Sequence, residues 1–126
     1  VSGFKKGLIT GYSAMTSFEM IYPDTTNPDH KAWADAYQKY AGKPHNGAAQ
    51  LGYGSGILFL EALKRAGRNL TTDVFIKAME SIKSFEMTLG GPPLTFGPND
   101  HQGSTDAYLA VVENARWKTL TRPLSY

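Results

Sequence analysis

The stretch GAAQLGYGSGILFLEALKRAG, residues 47–67, decides the fold. Its start, Ala48-Ala49-Gln50, reads as a brief strand, and from Tyr53 onward Gly56, Ile57, Leu60 and Leu63 recur at helical spacing. Leu58, Phe59, Ala62 and Ala66 widen the stripe beyond one face, which predicts a helix buried around most of its circumference. Glu61, Lys64 and Arg65 form a narrow polar strip, with Glu61 and Arg65 at the i, i+4 offset that suits an ion pair. Gly67 ends the helix, because glycine accepts the left-handed conformation of a helix C-terminus without penalty. An element this apolar needs partners on several sides.

Upstream, Asn27-Pro28 predicts a helix start: Asn accepts from free N–H groups, and Pro at the first helical position has no N–H to lose. Trp33, Ala36, Tyr37, Tyr40 and Ala41 then fall on one face of an amphipathic helix that Gly42 terminates. Lys6–Thr10 reads as a short strand, and Ala14–Thr26, which has no clean period, reads as a loop. Downstream, Thr71 or Thr72 caps a third helix with Phe75, Ala78, Met79 and Ile82 on one side. Phe85-Glu86-Met87 reads as extended, Gly90-Gly91-Pro92-Pro93 as a rigid turn before Leu94-Thr95-Phe96, and Gly97–Gly103 as a polar turn. Ala107–Glu113 is the longest strand, and its continuous apolar run predicts burial on both faces. Asn114-Ala115 turns it into a hairpin with Trp117–Thr121. The order of elements is an α/β pattern with too few strands for its helices, as expected of an incomplete piece.

Composition excludes several classes. The 126 residues are 41% apolar and 19% charged, with a net charge of +2 too small to imply a nucleic-acid or anionic-membrane partner. No apolar run approaches the ~18 residues of a membrane span. The N-terminus VSGFKKGLIT lacks the features of a signal peptide and begins without Met, which suggests a processed chain or an excised piece. The absence of cysteine removes thiolate metal sites and thiol nucleophiles and leaves the compartment open.

Few residues point to chemistry. His30, His45 and His101 share no metal-ligand spacing and read as solvated histidines, so neither a metal nor a cofactor is expected. Asp100-His101 near Ser104 has the residue types of a nucleophile–base pair, but a turn held by Asp and Asn side chains explains the same residues. The glycines of Gly52-Tyr53-Gly54-Ser55-Gly56 match no phosphate-binding fingerprint and read as sites of close helix approach. The Trp33, Tyr37, Tyr40 stripe, without a cluster of Lys or Arg, reads as a core face.

The strand LIT, the helix DHKAWADAYQKYAGKP, the unit AAQLGYGSGILFLEALKRAG, the helix TTDVFIKAMESI and the closing GGPPLTFGPNDHQGSTDAYLAVVENARW together resemble the C-terminal part of the type I periplasmic solute-binding proteins of ABC transporters, branched-chain amino acid (Leu/Ile/Val-binding) group. The resemblance covers nearly the whole chain but roughly the last third of a family member. The chain departs from the family at Glu113-Asn114-Ala115-Arg116, where Asp-Gly is usual, and this bears on turn type only.

The resemblance implies an α/β fold of two three-layer α/β/α lobes joined by three crossings, with ligand in the cleft between them. It implies that residues 1–13 end the second lobe and cross over, 14–106 form part of the first lobe, and 107–126 make the third crossing and closing hairpin. Tyr12, at a crossing, and Ala48 and Gln50, at the end of the expected strand, become the expected ligand-binding residues; Gln50 is the one side chain of that strand able to hydrogen-bond. The family's main anchors for ligand α-amino and α-carboxylate groups precede this segment. The implied function is non-enzymatic: capture of an amino acid or related small carboxylate by lobe closure, and delivery to ABC permease subunits, at a periplasmic or extracellular location tied to the membrane through the transporter. Two alternatives are a ligand-sensing domain of a receptor or regulator with this fold, and a small hydrolase built on Asp100, His101 and Ser104. Residues 1–126 in isolation are expected to self-associate, because the long final strand lacks neighbours.

Overall fold

The computed structural model describes residues 11–125; the expected strand at Lys6–Thr10 lies outside them. The element order is β1 (Ser13–Thr16), α1 (Pro28–Ala41), α2 (Gly47–Ala66), α3 (Thr72–Glu80), β2 (Tyr108–Glu113) and β3 (Arg116–Thr119).

Helix boundaries follow the capping residues. Asn27 Oδ1 accepts from Asp29 N–H (3.0 Å) and His30 N–H (3.3 Å), and Gly42, in the left-handed conformation, donates its N–H to Gln38 O (3.0 Å). Thr71 caps α3 through Val74 N–H (3.3 Å). At Gly67 φ is +72° and ψ −161°, a region essentially reserved for glycine, while its N–H closes α2 on Leu63 O (3.1 Å).

Two expectations about α2 are corrected. Ala48–Gln50 is the first turn of the helix, not a strand. Asn46 Oδ1 accepts from Ala49 N–H (2.9 Å) and Asn46 O accepts from Gln50 N–H (3.0 Å), so capping and two good helix formers prevail over a strand too short to pair. Burial is also one-sided. Gln50, Gly54 and Ala62 are buried, whereas Leu51, Tyr53, Phe59 and Leu60 are exposed. Gly54 is a close-packing site, since a Cβ there would stand 2.6 Å from Met87 Cε, but Gly52 and Gly56 face open space.

The sheet is antiparallel with order β1-β2-β3. β1 falls in a stretch expected to be loop: four residues carry no readable period, and pairing of Ser13 to Val111 through Thr16 to Tyr108 makes them a strand. β2 is therefore flanked on both sides, contrary to the expectation that it lacks neighbours. Its burial alternates rather than covering both faces: Tyr108, Ala110 and Val112 are buried, Leu109 and Val111 half-buried. Asn114 (φ 48°) and Ala115 (φ 62°) make the tight turn to β3 with positive φ at both central positions, the geometry that matches strand twist. The 85–87 stretch contributes a single bridge, Phe85 to Leu94.

The hairpin is tied to the segment before α1. Arg116 Nη1 donates to both Asp24 carboxylate oxygens (2.7 Å each), its guanidinium lies 4.9 Å from the Tyr22 ring centroid, and Tyr22 Oη accepts from Trp117 N–H (2.7 Å). The Arg116 hydrogen bond holds Asp24 below the ordinary carboxylate pKa.

α2 joins two cores. One packs Ile21, Trp33, Ala34 and Leu89 with Tyr37 and Ala49; the other packs Ala62, Ile82 and Phe96 with Leu58, Phe75 and Met79. The α1 stripe belongs to the first only in part, because Tyr40 is 84% exposed. Glu61 and Arg65 pair as expected (2.7 Å), and Arg65 Nη1 also donates to Ser81 O (2.9 Å), tying α2 to the end of α3.

His45 is not solvated. Its ring lies 4.6 Å from the Trp33 ring centroid and edge-on to Tyr37, and among the described residues neither ring nitrogen has a hydrogen-bond partner. Burial holds its pKa below the ordinary histidine value. The unfolded chain therefore binds a proton at a higher pH than the folded one, and stability present above about pH 6.5 should be lost as pH falls through that value toward the folded-state pKa. Melting temperatures between about pH 7.5 and 5 should decline for the native sequence and decline less for His45→Phe; parallel profiles would contradict this role for His45.

Candidate functional site

Gln50 lines a cleft of about 240 Å³ beside the first turns of α2. Gln50, Leu51, Gly54, Ser55 and Leu58, spaced at i, i+1, i+4, i+5 and i+8, form one wall. Ser17 and Phe18, the loop from Met87 to Leu94, and Gln102, Ser104 and Asp106 complete it. The lining combines apolar side chains such as Phe18, Leu58 and Met87 with a few polar ones, the usual character of a small-molecule site.

Gln50 is 2% exposed, and its amide is engaged on every side by backbone. Nε2 donates to Glu19 O (2.6 Å) and Leu89 O (2.7 Å), and Oε1 accepts from Ile21 N–H (3.1 Å). Glu19 N–H donates to Gly90 O (2.7 Å), which ties the same two segments again. Gly90 has φ +78°, and a Cβ there would come within 3.0 Å of Glu19 O, so this approach requires glycine. Gln50 thus lines the cleft while its polar atoms hold the cleft's walls together.

The other expected residues are elsewhere. Ala48 is exposed in the first turn of α2 and does not line the cleft. Tyr12 is 66% exposed just ahead of β1; its carbonyl accepts from Val112 N–H (2.8 Å), and it is not among the residues that line the cleft. The cleft draws instead on Ser17, Phe18, Gln102 and Ser104, which sequence alone could not bring together because they join only through tertiary approach. Their one sequence signal is position, since they flank the strands that pair across the chain.

Asp100, His101 and Ser104 do not assemble a nucleophile–base pair. Asp100 Oδ1 accepts from Gln102 N–H (2.9 Å), His101 Nε2 meets Glu80 Oε1 (3.0 Å), and Ser104 Oγ accepts from Asp106 N–H (3.0 Å). Each is occupied by turn or surface interactions, and the base lies against a carboxylate rather than the hydroxyl. Among the described residues no group of three or more His, Cys, Asp or Glu gathers as a metal site would require. Nor is any described helix long and apolar enough to cross a membrane.

The chain's likeness to known proteins agrees with this fold. A family model described as periplasmic binding protein matches residues 6–116. No functionally curated protein matches the chain. Among solved structures, a branched chain amino acid ABC transporter protein from Thermus thermophilus with bound valine aligns with TM-score 0.78 at 18% identity, over 95% of this chain and 35% of its own. The leucine binding protein LivK from Thermotoga maritima aligns with TM-score 0.64 at 18% identity, over 94% of this chain and 32% of its own. The chain therefore spans about a third of the length of these structures, and at such identity the likeness is one of fold.

Replacing Gln50 by Leu keeps the volume but leaves the Ile21 N–H and the Glu19 and Leu89 carbonyls without their partner. We expect a loss of about 3 kcal/mol in denaturant unfolding, toward the upper end for buried groups left unsatisfied. A change below about 0.5 kcal/mol would mean that this crosslink does not hold the two segments.

Proposed function

The chain belongs to the periplasmic binding protein family, and from that premise we propose that it is part of an extracytoplasmic solute-binding subunit of an ABC importer. The ligand is an amino acid or a related small carboxylate, captured as two lobes close and passed to permease subunits in the membrane. The family match over residues 6–116 carries this reading. The solved structures of like fold, described as a branched chain amino acid ABC transporter with bound valine and a leucine binding protein, support the ligand class. In this proposal residues 1–13 and 107–126 include crossings between lobes, residues 14–106 are part of the first lobe, and the cleft beside Gln50 is this chain's share of the ligand site.

Gln50 acts through the walls it fixes rather than by direct donation, since both of its N–H groups are engaged. Ala48 and Tyr12, both exposed, would reach ligand only from positions that lobe closure brings up. The hydrolytic alternative draws no support from Asp100, His101 and Ser104, which bond to separate partners. The sensory alternative has no observation of its own, while one neighbour of like fold is described as a branched chain amino acid ABC transporter.

Melting of the natural polypeptide that carries this sequence should rise with an amino-acid ligand, by the equivalent of about 2.7 kcal/mol at a hundred times Kd. No shift across a full panel of amino acids and small carboxylates would overturn the reading. Residues 1–126 in isolation should associate, for a different reason than the missing strand neighbours: Tyr53, Phe59 and Leu60 on α2 and Met15 and Leu120 on or beside the sheet are bare. Sedimentation at increasing concentration should show growing mass, and a monomer at high concentration would contradict it.

A further inference from the structure

We infer that His45 is a proton-operated latch: charging its ring releases the connection between α1 and α2, frays the first turn of α2 and loosens the Gln50 crosslink that holds the walls of the cleft. The connection 42–46 has one buried residue. Gly42, Lys43, Pro44 and Asn46 are exposed, so His45, 9% exposed, is the anchor that holds this stretch to the body of the protein. That anchor is a ring packed on rings. Trp33 lies 4.6 Å and Tyr37 6.5 Å from it between centroids, and Trp33 in turn meets Tyr53 of α2 at 5.8 Å. Both imidazole nitrogens are buried without a hydrogen-bond partner among the described residues, so the pocket offers the ring packing but no acceptor for a second proton.

The neutral ring tolerates this pocket and the charged ring does not. Protonation would bury two N–H donors and a unit charge with no counter-ion, and the attraction of an imidazolium to the Trp33 face is the smaller effect. The titratable groups on the surrounding elements are His30 and Tyr37 of α1, Tyr53 of α2, Lys43 on the connection itself, and Glu19 and Glu86 near Ile21 and Leu89, which cluster with Trp33. None of them hydrogen-bonds to the imidazole, and burial alone moves its pKa. A proton therefore favours the state in which His45 is in water, and that state gains as pH falls below about 6.5. The consequence runs along the chain. Asn46, the next residue, caps α2 by accepting from Ala49 N–H (2.9 Å) and Gln50 N–H (3.0 Å), and at Gly47 a Cβ would stand 3.0 Å from Met20 Cε. Gln50 is in that same turn, so displacing residues 45–47 moves the amide that joins Glu19, Ile21 and Leu89.

Hydrogen exchange on the natural polypeptide that carries this sequence tests the latch without any ligand. Protection factors of the amides in residues 46–51, which remove the intrinsic pH dependence of exchange, should fall between pH 7.5 and 5. The fall reaches at most about thirtyfold, for a ring that takes its proton near pH 6.5 once released, and it should be absent in His45→Phe and His45→Leu. Protection within about twofold over this range, or an equal fall in both variants, would overturn the latch. If neither variant folds, the NMR titration of the His45 ring decides, because the latch requires it to coincide with the loss of protection. The effect on ligand rests on the solute-binding reading and is read separately, as the rate at which bound valine, leucine or glutamate is displaced in stopped flow. Release through the loosened cleft should quicken in acid by the same factor as protection falls, and stay level in the variants. A release rate indifferent to pH while protection falls would sever the latch from the cleft. Binding of none of these ligands would count against the solute-binding reading, while the exchange result still decides the latch.

Discussion

One buried amide holds this structure in register. Gln50 makes three hydrogen bonds to backbone of two segments that are 29 to 39 residues away in sequence, and neither segment belongs to a regular element. The stretch 17–22 and the loop 87–91 have no ladder of their own to satisfy their polar groups. If they are to be buried, some side chain must do it. A glutamine is well suited, because one planar group both donates twice and accepts. Ile21 and Leu89, whose backbone Gln50 binds, are also members of the first core, so the polar crosslink and the packing of Trp33 fix the same two stretches of chain. Removing the amide would loosen both.

The same constraint explains how much is legible in the sequence. The three helices follow local rules: Asn27, Thr71 and Gly42 act through groups within four residues of themselves, and so their roles can be read directly. The hairpin is likewise local, because Asn114 and Ala115 need only adopt positive φ. β1 is not readable, since four residues become a strand only by finding β2 some ninety positions later. Ala48–Gln50 misleads for the converse reason. A short apolar run before a glycine-rich stretch has no distinguishing period, and the capping by Asn46 that makes it helical is a stronger local signal than the run itself. Of the candidate site, Gln50 is legible as the polar residue of its stretch, but its partners are not.

The exposed side of α2 has a physical meaning beyond this chain. A twenty-residue helix with Tyr53, Phe59 and Leu60 outside and Gly52 and Gly56 opening flat ground between them has the surface of a buried element. The sequence predicts such burial, and the described residues supply it on one side only. A chain that spans about a third of its structural relatives is consistent with the remainder of that demand being met by other parts of a longer polypeptide.

The division of labour in the cleft follows from Gln50 being fully engaged. A side chain whose donors already satisfy buried carbonyls cannot turn to a ligand without leaving those carbonyls unpaired, at a cost comparable to the stabilisation a new hydrogen bond would bring. On the solute-binding reading proposed above, recognition would then fall to lining groups that hold spare hydrogen-bonding capacity. Ser17 and Gln102 are exposed, and Asp106 has an oxygen unengaged among the described residues. The buried amide supplies rigidity, and in the proposed reading ligand preference could change at the other lining residues without disturbing the crosslink that keeps the walls in place.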